Sequence, residues 1–402
     1  MASTPTVIFG AFDRHNFGDL LIAQLAARML PCRELLFAGL AARDPHGDGG
    51  PGTVALARIA AFARDRPVNV IHAGGELLTC NAWEAAVMLA PPQHVPALIA
   101  TEGDWLRDGR AWAQKQVGVA SLAPYVLSKS ALPGVRVKHL SFNAVGGVDL
   151  DARNAQLGDD VLAALQSADA VSVRDRRTQA LLAQRGIEAR LIPDPATMTA
   201  ALFGTAIRRH ATNGALRDVR HAFQHGYAAV QFSADFGDDA TLDTLATQLE
   251  LAAKAHGLGI VLFRAGAAPW HDDLAVYERL AARLRATHVR VFASLNIWDI
   301  CALIAGSRIY CGSSLHGRIV AMAYALPRIN ISHPDHSFEA SKHAAYVRTW
   351  EAAGLAGAVN PGNLADAIAN ALVTDYDSLR ETASALARRY RMEFETMFDQ
   401  MR

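Results

Sequence analysis

The strongest constraint on this chain is a rhythm. Short β-branched runs alternate with longer Ala- and Leu-rich stretches along nearly all of its 402 residues. A half-buried strand repeats every two residues and a helix every 3.6, so this switching predicts repeated βαβ units and mainly parallel sheets. Thr6–Phe9 reads as a strand, Gly10–Gly18 as a polar loop and Asp19–Met29 as a helix, with Asp19 a fitting N-cap. Further strands are expected at Val68–His72, Val135–Phe142, Ala170–Val173 and Arg190–Ile192. From Thr205 to Gly226 the pattern loosens into His- and Asn-bearing sequence, which reads as the connection between domains. A second alternation then runs from Tyr227–Phe232 through Gly259–Phe263, Val289–Phe292 and Arg308–Cys311 to Arg328–Ile331. Leu364–Leu372 and Leu379–Gln400 close the chain as helices.

The fold class expected is therefore α/β: two Rossmann-like domains with mainly parallel sheets facing a cleft. The expected bounds are 1–215 for the first domain and 216–375 for the second. A C-terminal helix over 376–402 is placed to pack back on the first. Open α/β sheets bind ligands beyond the carboxyl ends of their strands, so the loops there carry the candidate chemistry.

Composition narrows the partners. At 51% hydrophobic and 19% charged residues, with a formal net charge of zero, the chain can bury large cores and lacks the basic excess that nucleic-acid backbones demand. The polar start, Met1 to Thr6, has no signal-peptide pattern, and no window is apolar enough to span a bilayer. A cytoplasmic protein is expected. Cys32, Cys80, Cys301 and Cys311 are scattered without metal-site spacing and read as buried, reduced thiols. His271-Asp272-Asp273 looks like a metal triplet, but adjacent turn residues point apart, and a helix cap is the better reading.

The sharpest segment runs from Ser307 to Ile331: strand, Gly312-Ser313-Ser314 turn, helix, Pro327, strand. Such a turn presents backbone N–H groups and a positive helix end to an anion. Ser313 or Ser314 can cap the helix or donate to a phosphate, and His316 falls in its first turn, where an imidazole can serve as acid or cation. In a second segment, Arg174 and Asp175 stand where a strand hands over to a helix. Asp175 reads as the cap, leaving Arg174 free as a fork for carboxylate or phosphate. Pro193-Asp194-Pro195 reads as a rigid strand exit. Asn16, Gly18 and Asp19 border the same face after the first strand, with Arg14 and His15 as weaker candidates, and Gly74-Gly75 ends another strand. Neither G-x-G-x-x-G nor a P-loop is present at the first turn.

Taken in order, these segments resemble the polysaccharide pyruvyltransferase family. The resemblance rests on Asn16-Phe17-Gly18-Asp19, Gly74-Gly75, Ser172-Val173-Arg174-Asp175, Asp194-Pro195-Ala196, and Ser313-Ser314-Leu315-His316-Gly317 followed by Pro327, spanning about Ile8 to Lys342. It implies a fold similar to B-type glycosyltransferases and transfer of a pyruvyl group from phosphoenolpyruvate to a sugar hydroxyl pair, forming a ketal. No metal or cofactor is implied; phosphoenolpyruvate is the donor substrate. The implied acceptor is a saccharide, including lipid-linked forms made by membrane-associated machinery for exopolysaccharide. By position, Arg174 is similar to the family's donor-binding arginine and His316 to its catalytic or donor-binding histidine. Lys342 stands where relatives carry a lysine that could meet phosphate. Asn16, Asp19, Gly74, Gly75, Ser313, Ser314 and Leu315 complete the implied substrate contacts. One departure stands out: Ser314 replaces the arginine of the S-R-L-H form, and Arg318, on the following helix, would point elsewhere. Two alternatives stay open, a B-type glycosyltransferase using a nucleotide sugar and a degenerate, non-catalytic relative. The absence of an E-x-x-x-x-x-x-E pattern near Gly312 counts against the first. Acceptor loops are sought at Arg14–His15, Asn81–Trp83 and Pro91–His94.

Overall fold

The computed structural model describes residues 4–31, 34–100, 110–212, 214–285, 288–335, 339–352 and 357–399; Cys32 lies outside them. By contact the chain forms two units, one of Met1–Asp194 with Met392–Arg402 and one of Pro195–Arg391.

The first unit is built on a seven-stranded parallel sheet in the order β3-β2-β1-β4-β5-β6-β7. Its strands are β1 Thr6–Phe9, β2 Leu35–Gly39, β3 Val54–Ala55, β4 Val68–Ala73, β5 Val137–Val145, β6 Ala170–Val173 and β7 Arg190–Leu191. Strands β1 and β4 are buried along their whole length, as expected for strands covered on both faces. The core runs through Val7, Phe9, Val70, Leu140, Phe142 and Val173, closed by Leu157, Val161 and Leu165 from the helix Ala155–Gln166.

The second unit repeats the plan with six parallel strands ordered β10-β9-β8-β11-β12-β13. These are β8 Tyr227–Gln231, β9 Gly259–Phe263, β10 Val289–Phe292, β11 Ile309–Gly312, β12 Arg328–Ile331 and β13 Ala358–Val359. Both sheets start in the middle, run outward one way, then return and run outward the other way. Their strand-order reversals lie between β1 and β4 and between β8 and β11. That is where doubly wound sheets open a crevice at their carboxyl ends.

Three local expectations change. The first helix begins at Phe17, capped by Asn16, whose side chain accepts from the amides of Gly18 and Asp19. Asn16 is three residues closer to the strand than the cap inferred at Asp19, and it frees the Asp19 carboxylate for another partner. Thr205–Gly226 is not an open connection. It carries the second half of the helix Thr199–His210 and all of Gly214–Ala222, within the second unit. The latter is strongly amphipathic but mostly polar, burying only Leu216 and Val219, so its apolar signal was thin. The last helix spans Tyr376–Asp399 rather than starting at Leu379. Among the described residues no helix is long and apolar enough to cross a membrane.

Candidate active site

In the first unit the loops after β1, β4, β5 and β6 share one edge of the sheet. Asp19 sits in the first turn of its helix and is 6% exposed. Its Oδ1 accepts the Gly75 amide hydrogen at 2.9 Å, tying the β1 loop to the β4 loop across the strand-order reversal. Gly75 in turn accepts through its carbonyl from the Gly146 amide at 2.8 Å. A Cβ at Gly146 would lie 2.4 Å from Glu76 Oε1 and 2.9 Å from Arg174 Nε, so a larger residue there would press on that ion pair.

Arg174 is not free. It is 2% exposed, and its guanidinium donates to Glu76 Oε1 at 2.5 Å and to Asp194 Oδ2 at 2.9 Å. Burial alone would lower its pKa, but the Glu76 and Asp194 carboxylates more than reverse that and hold it firmly protonated. The fork expected to face an anion is thus occupied by two carboxylates, one of them, Asp194, wholly buried. Asp175 does cap the helix Arg176–Ala183, accepting from Thr178 N at 2.7 Å. Burial, then the nearby Glu76 charge, raises its pKa.

Arg14 and His15 are buried as well, at 8% and 3% exposure. The Arg14 guanidinium lies 5.0 Å from the Tyr125 ring centroid, a cation–π contact, and Tyr125 donates to Asp13 Oδ1 at 2.7 Å. Of the other loops sought for an acceptor, Asn81 forms a capping box with Glu84 and Trp83 is buried, so both serve the helix Ala82–Leu89. Pro92–His94 forms an exposed 3-10 turn.

The second unit contains the matching relationship. Gln231 ends β8, and its Oε1 accepts the Ser314 amide hydrogen at 2.8 Å, beyond the end of β11. Its backbone carbonyl accepts from Ser313 N at 3.1 Å. Ser314 is the N-cap of the helix Leu315–Ala323, accepting from Gly317 N, while Ser313 Oγ accepts from Ser233 N at 3.0 Å. The amides of Ser313, Ser314 and Gly317 are therefore engaged within the protein. The expectation of several free N–H groups is corrected accordingly, and what an anion would meet is the helix start at Leu315 and His316.

His316 follows the cap by two residues and is half-buried. Arg318 is fully buried and points into the unit. It pairs with Glu351 through Nε at 2.7 Å and Nη2 at 2.9 Å, and its Nη1 reaches Asn330 Oδ1, whose amide donates to the Gly312 carbonyl at 2.9 Å. It cannot stand in for the arginine replaced by Ser314. Lys342 begins the helix Lys342–Trp350 and is exposed. Its neighbour His343, which sequence reasoning passed over, donates from Nε2 to the Ser313 carbonyl at 2.9 Å. Proximity to Lys342 was the available signal, but His343 touches the turn only because β12 returns the chain there.

Behind the turn lies a buried polar chain. Asp272 accepts from Ala265 N at 2.5 Å and from Gln231 Nε2 at 2.9 Å. Burial pushes its carboxyl up to about 7 despite those bonds. Asp273 caps the helix Leu274–Arg283, so Asp272 and Asp273 divide into a buried acceptor and a helix cap.

Two all-parallel α/β units, each with a cross-braced turn at its strand-order reversal, define a two-domain, Rossmann-like class. Within it, residues 152–336 match the family model described as polysaccharide pyruvyl transferase, a span holding Arg174, Asp194 and the Ser313–Gly317 turn. The fold is shared with a UDP-GlcNAc 2-epimerase from Neisseria meningitidis, solved bound to UDP-GlcNAc. That match has 9% identity and a TM-score of 0.53, and it covers 99% of this chain and 100% of that one. It is shared too with a UDP-GlcNAc 2-epimerase from Methanocaldococcus jannaschii in complex with UDP-GlcNAc and UDP. There the identity is 11% and the TM-score 0.53, with 96% and 100% of the chains covered. No curated protein matches the chain.

Proposed function

We propose that this protein transfers the pyruvyl group of phosphoenolpyruvate to two hydroxyls of a saccharide, releasing inorganic phosphate. The observation that carries the proposal is His316, seated in the first helical turn after the Ser313-Ser314 cap, inside the span matched by the family model.

Protonation of the donor's methylene carbon turns it into a methyl group and leaves an oxocarbenium-like carbon. One sugar hydroxyl adds there, phosphate departs with its bonding pair, and the second hydroxyl closes the ketal. The two hydroxyl protons balance the new C–H bond and the released hydrogen phosphate. His316 is assigned as the acid, a role typically worth about 10²–10⁴-fold in rate. Lys342 and the start of the helix Leu315–Ala323 suit a phosphate. Arg174, gripped by Glu76 and Asp194, is assigned to holding Glu76 in place rather than to binding the donor as an open fork.

The test is thermal. Phosphoenolpyruvate should raise the melting temperature of the wild type, and His316→Ala should fold normally yet lose the response. UDP serves as the control ligand. A shift with UDP and none with phosphoenolpyruvate would replace this reading by that of a nucleotide-sugar glycosyltransferase.

A further inference from the structure

The loop between β9 and the helix Leu274–Arg283 holds a residue that its backbone does not ask for. The His271 amide donates to the Ala268 carbonyl at 3.0 Å, closing a four-residue turn with Pro269 and Trp270 at its centre. Proline fixes the first central φ at about −65°, and Trp270 follows with a φ of 63°. That combination is a type II turn, whose second central position favours glycine or asparagine because a larger side chain crowds the backbone there. The bulkiest of the natural side chains occupies it instead.

The ring is not placed there to fill a core, for Trp270 is 41% exposed. Large apolar side chains exposed among the described residues also include Leu251 and Met392 on helices, Val373 at the end of one and Tyr376 at the start of another. Of these, Trp270 alone stands on a loop leaving the carboxyl end of a strand, the edge where open α/β sheets bind ligands. Backbone strain kept at such an edge points to a use for the side chain.

The next two residues tie this turn to the candidate active site. The His271 carbonyl accepts from the Ala234 amide at 3.0 Å, and the adjoining Ser233 amide donates to Ser313 Oγ at 3.0 Å. Asp272 accepts from Gln231 Nε2 at 2.9 Å, and Gln231 Oε1 holds the Ser314 amide. Trp270 and His316 therefore flank one short hydrogen-bonded path along a single sheet edge. Only β8 separates β9 from β11, which sets those strand ends about 10 Å apart. One sugar ring is too short for that span, and a second brings it within reach.

We propose that Trp270 is a stacking platform for the acceptor saccharide, its ring lying against the C–H face of a sugar residue next to the one that receives the pyruvyl group. The proposal rests on the saccharide acceptor of the reaction given above. An indole has a broad apolar face and an N–H at its edge, matching a sugar ring with an apolar face and a hydroxyl rim. The braced turn limits the freedom that the ring loses on binding.

Saturation-transfer NMR on the full chain tests this with lactose, cellobiose, maltose and diacetylchitobiose, each at about 10 mM to register affinities in the millimolar range. The wild type should transfer saturation to ring C–H protons of at least one disaccharide. Trp270→Gly, which suits the backbone of the turn, should weaken that disaccharide about tenfold, the scale of one lost ring contact. Trp270→Leu keeps apolar bulk without a flat face and should lose as much, whereas Trp270→Phe should keep part of the binding. Absence of transfer from the wild type to all four disaccharides overturns the proposal. So does transfer undiminished in Trp270→Gly, or equal in the Leu and Phe variants, since packing alone would explain that equality. Transfer to UDP that depends on Trp270, with none to the saccharides, also overturns it. The melting shift of the wild type with phosphoenolpyruvate is read alongside. Its absence counts against the reaction, and Trp270-dependent saccharide binding stands or falls separately.

Discussion

Gln231 and Ser314 lie 83 residues apart in sequence, yet the Gln231 side-chain oxygen accepts the Ser314 amide hydrogen at 2.8 Å. The bond crosses the strand-order reversal of the second sheet, and Asp19 and Gly75 make the corresponding bond in the first. Each brace fixes the start of a glycine-containing turn from a neighbouring strand or helix. The turn carrying His316 is thereby held by a side chain that is itself 2% exposed and anchored on Asp272.

Gln231→Leu keeps the volume and deletes both ends of this brace. It leaves the Ser314 amide and the Asp272 carboxylate short of a partner. A destabilisation of about 1–3 kcal/mol is expected from the unsatisfied groups, read as a lower urea midpoint at unchanged slope. Loss of the phosphoenolpyruvate response should exceed what the stability loss alone explains.

Arg174→Ala should destabilise the fold by about 3–5 kcal/mol, because it removes the cation that faces the wholly buried Asp194 carboxylate and the part-buried Glu76. Chemical denaturation of Arg174→Ala beside Arg174→Lys measures this. Lysine keeps the charge and should recover part of the loss, though not the two-sided geometry.

Acid should attack the Glu351 bridge. Burial opposes the ionised form, but Arg318 and Arg328 together lower the Glu351 carboxyl from 4.5 to about 2. A depressed carboxyl stabilises the fold fully above its unfolded value and loses that contribution as pH falls through the folded one. Stability should therefore drop between about pH 4.5 and pH 2, by about 3 kcal/mol from this group. Glu351→Gln should remove that acid-dependent component and be weakened already at neutral pH. Melting curves across this range decide it.

Asp272 behaves in the opposite sense. Burial raises its carboxyl from 3.8 to about 7, so the folded protein keeps a proton there that the unfolded chain gives up. Stability from this group falls as pH rises from about 4 to about 7, then stays level. Protonated Asp272 is nearly isosteric with asparagine. Wild type should therefore lose stability relative to Asp272→Asn as pH rises from about 4.5 to about 7.5, by more than about 1 kcal/mol. Equal stability at both pH values would refute the assignment.

Much of this was legible in sequence because it is local. Runs such as Val-Ile-Phe in β1 and Ile-Val-Leu-Phe in β9 announce strands, and Asp175 and Asp273 announce the helices they cap. The Ser313–Gly317 turn was also readable from the strand–helix handover, and helical phase showed that Arg318 would point away from it. The state of Arg174 was not, because its partners stand 98 and 20 residues away. Gln231 carried no signal either, since a glutamine ending a strand gains its role only when β11 pairs beside β8. His343 was hidden behind Lys342 for the same reason.

The discontinuous first unit has a consequence for synthesis. Its second segment, from Met392, leaves the ribosome only after the whole of the second unit, which is one unbroken stretch, Pro195–Arg391. Domains tend to fold as units while the chain emerges, N-terminal ones first. Here that order is partly inverted. The second unit can be covalently whole while the first still awaits its C-terminal piece, so a chain truncated near residue 391 would mature last, and least completely, at its own beginning.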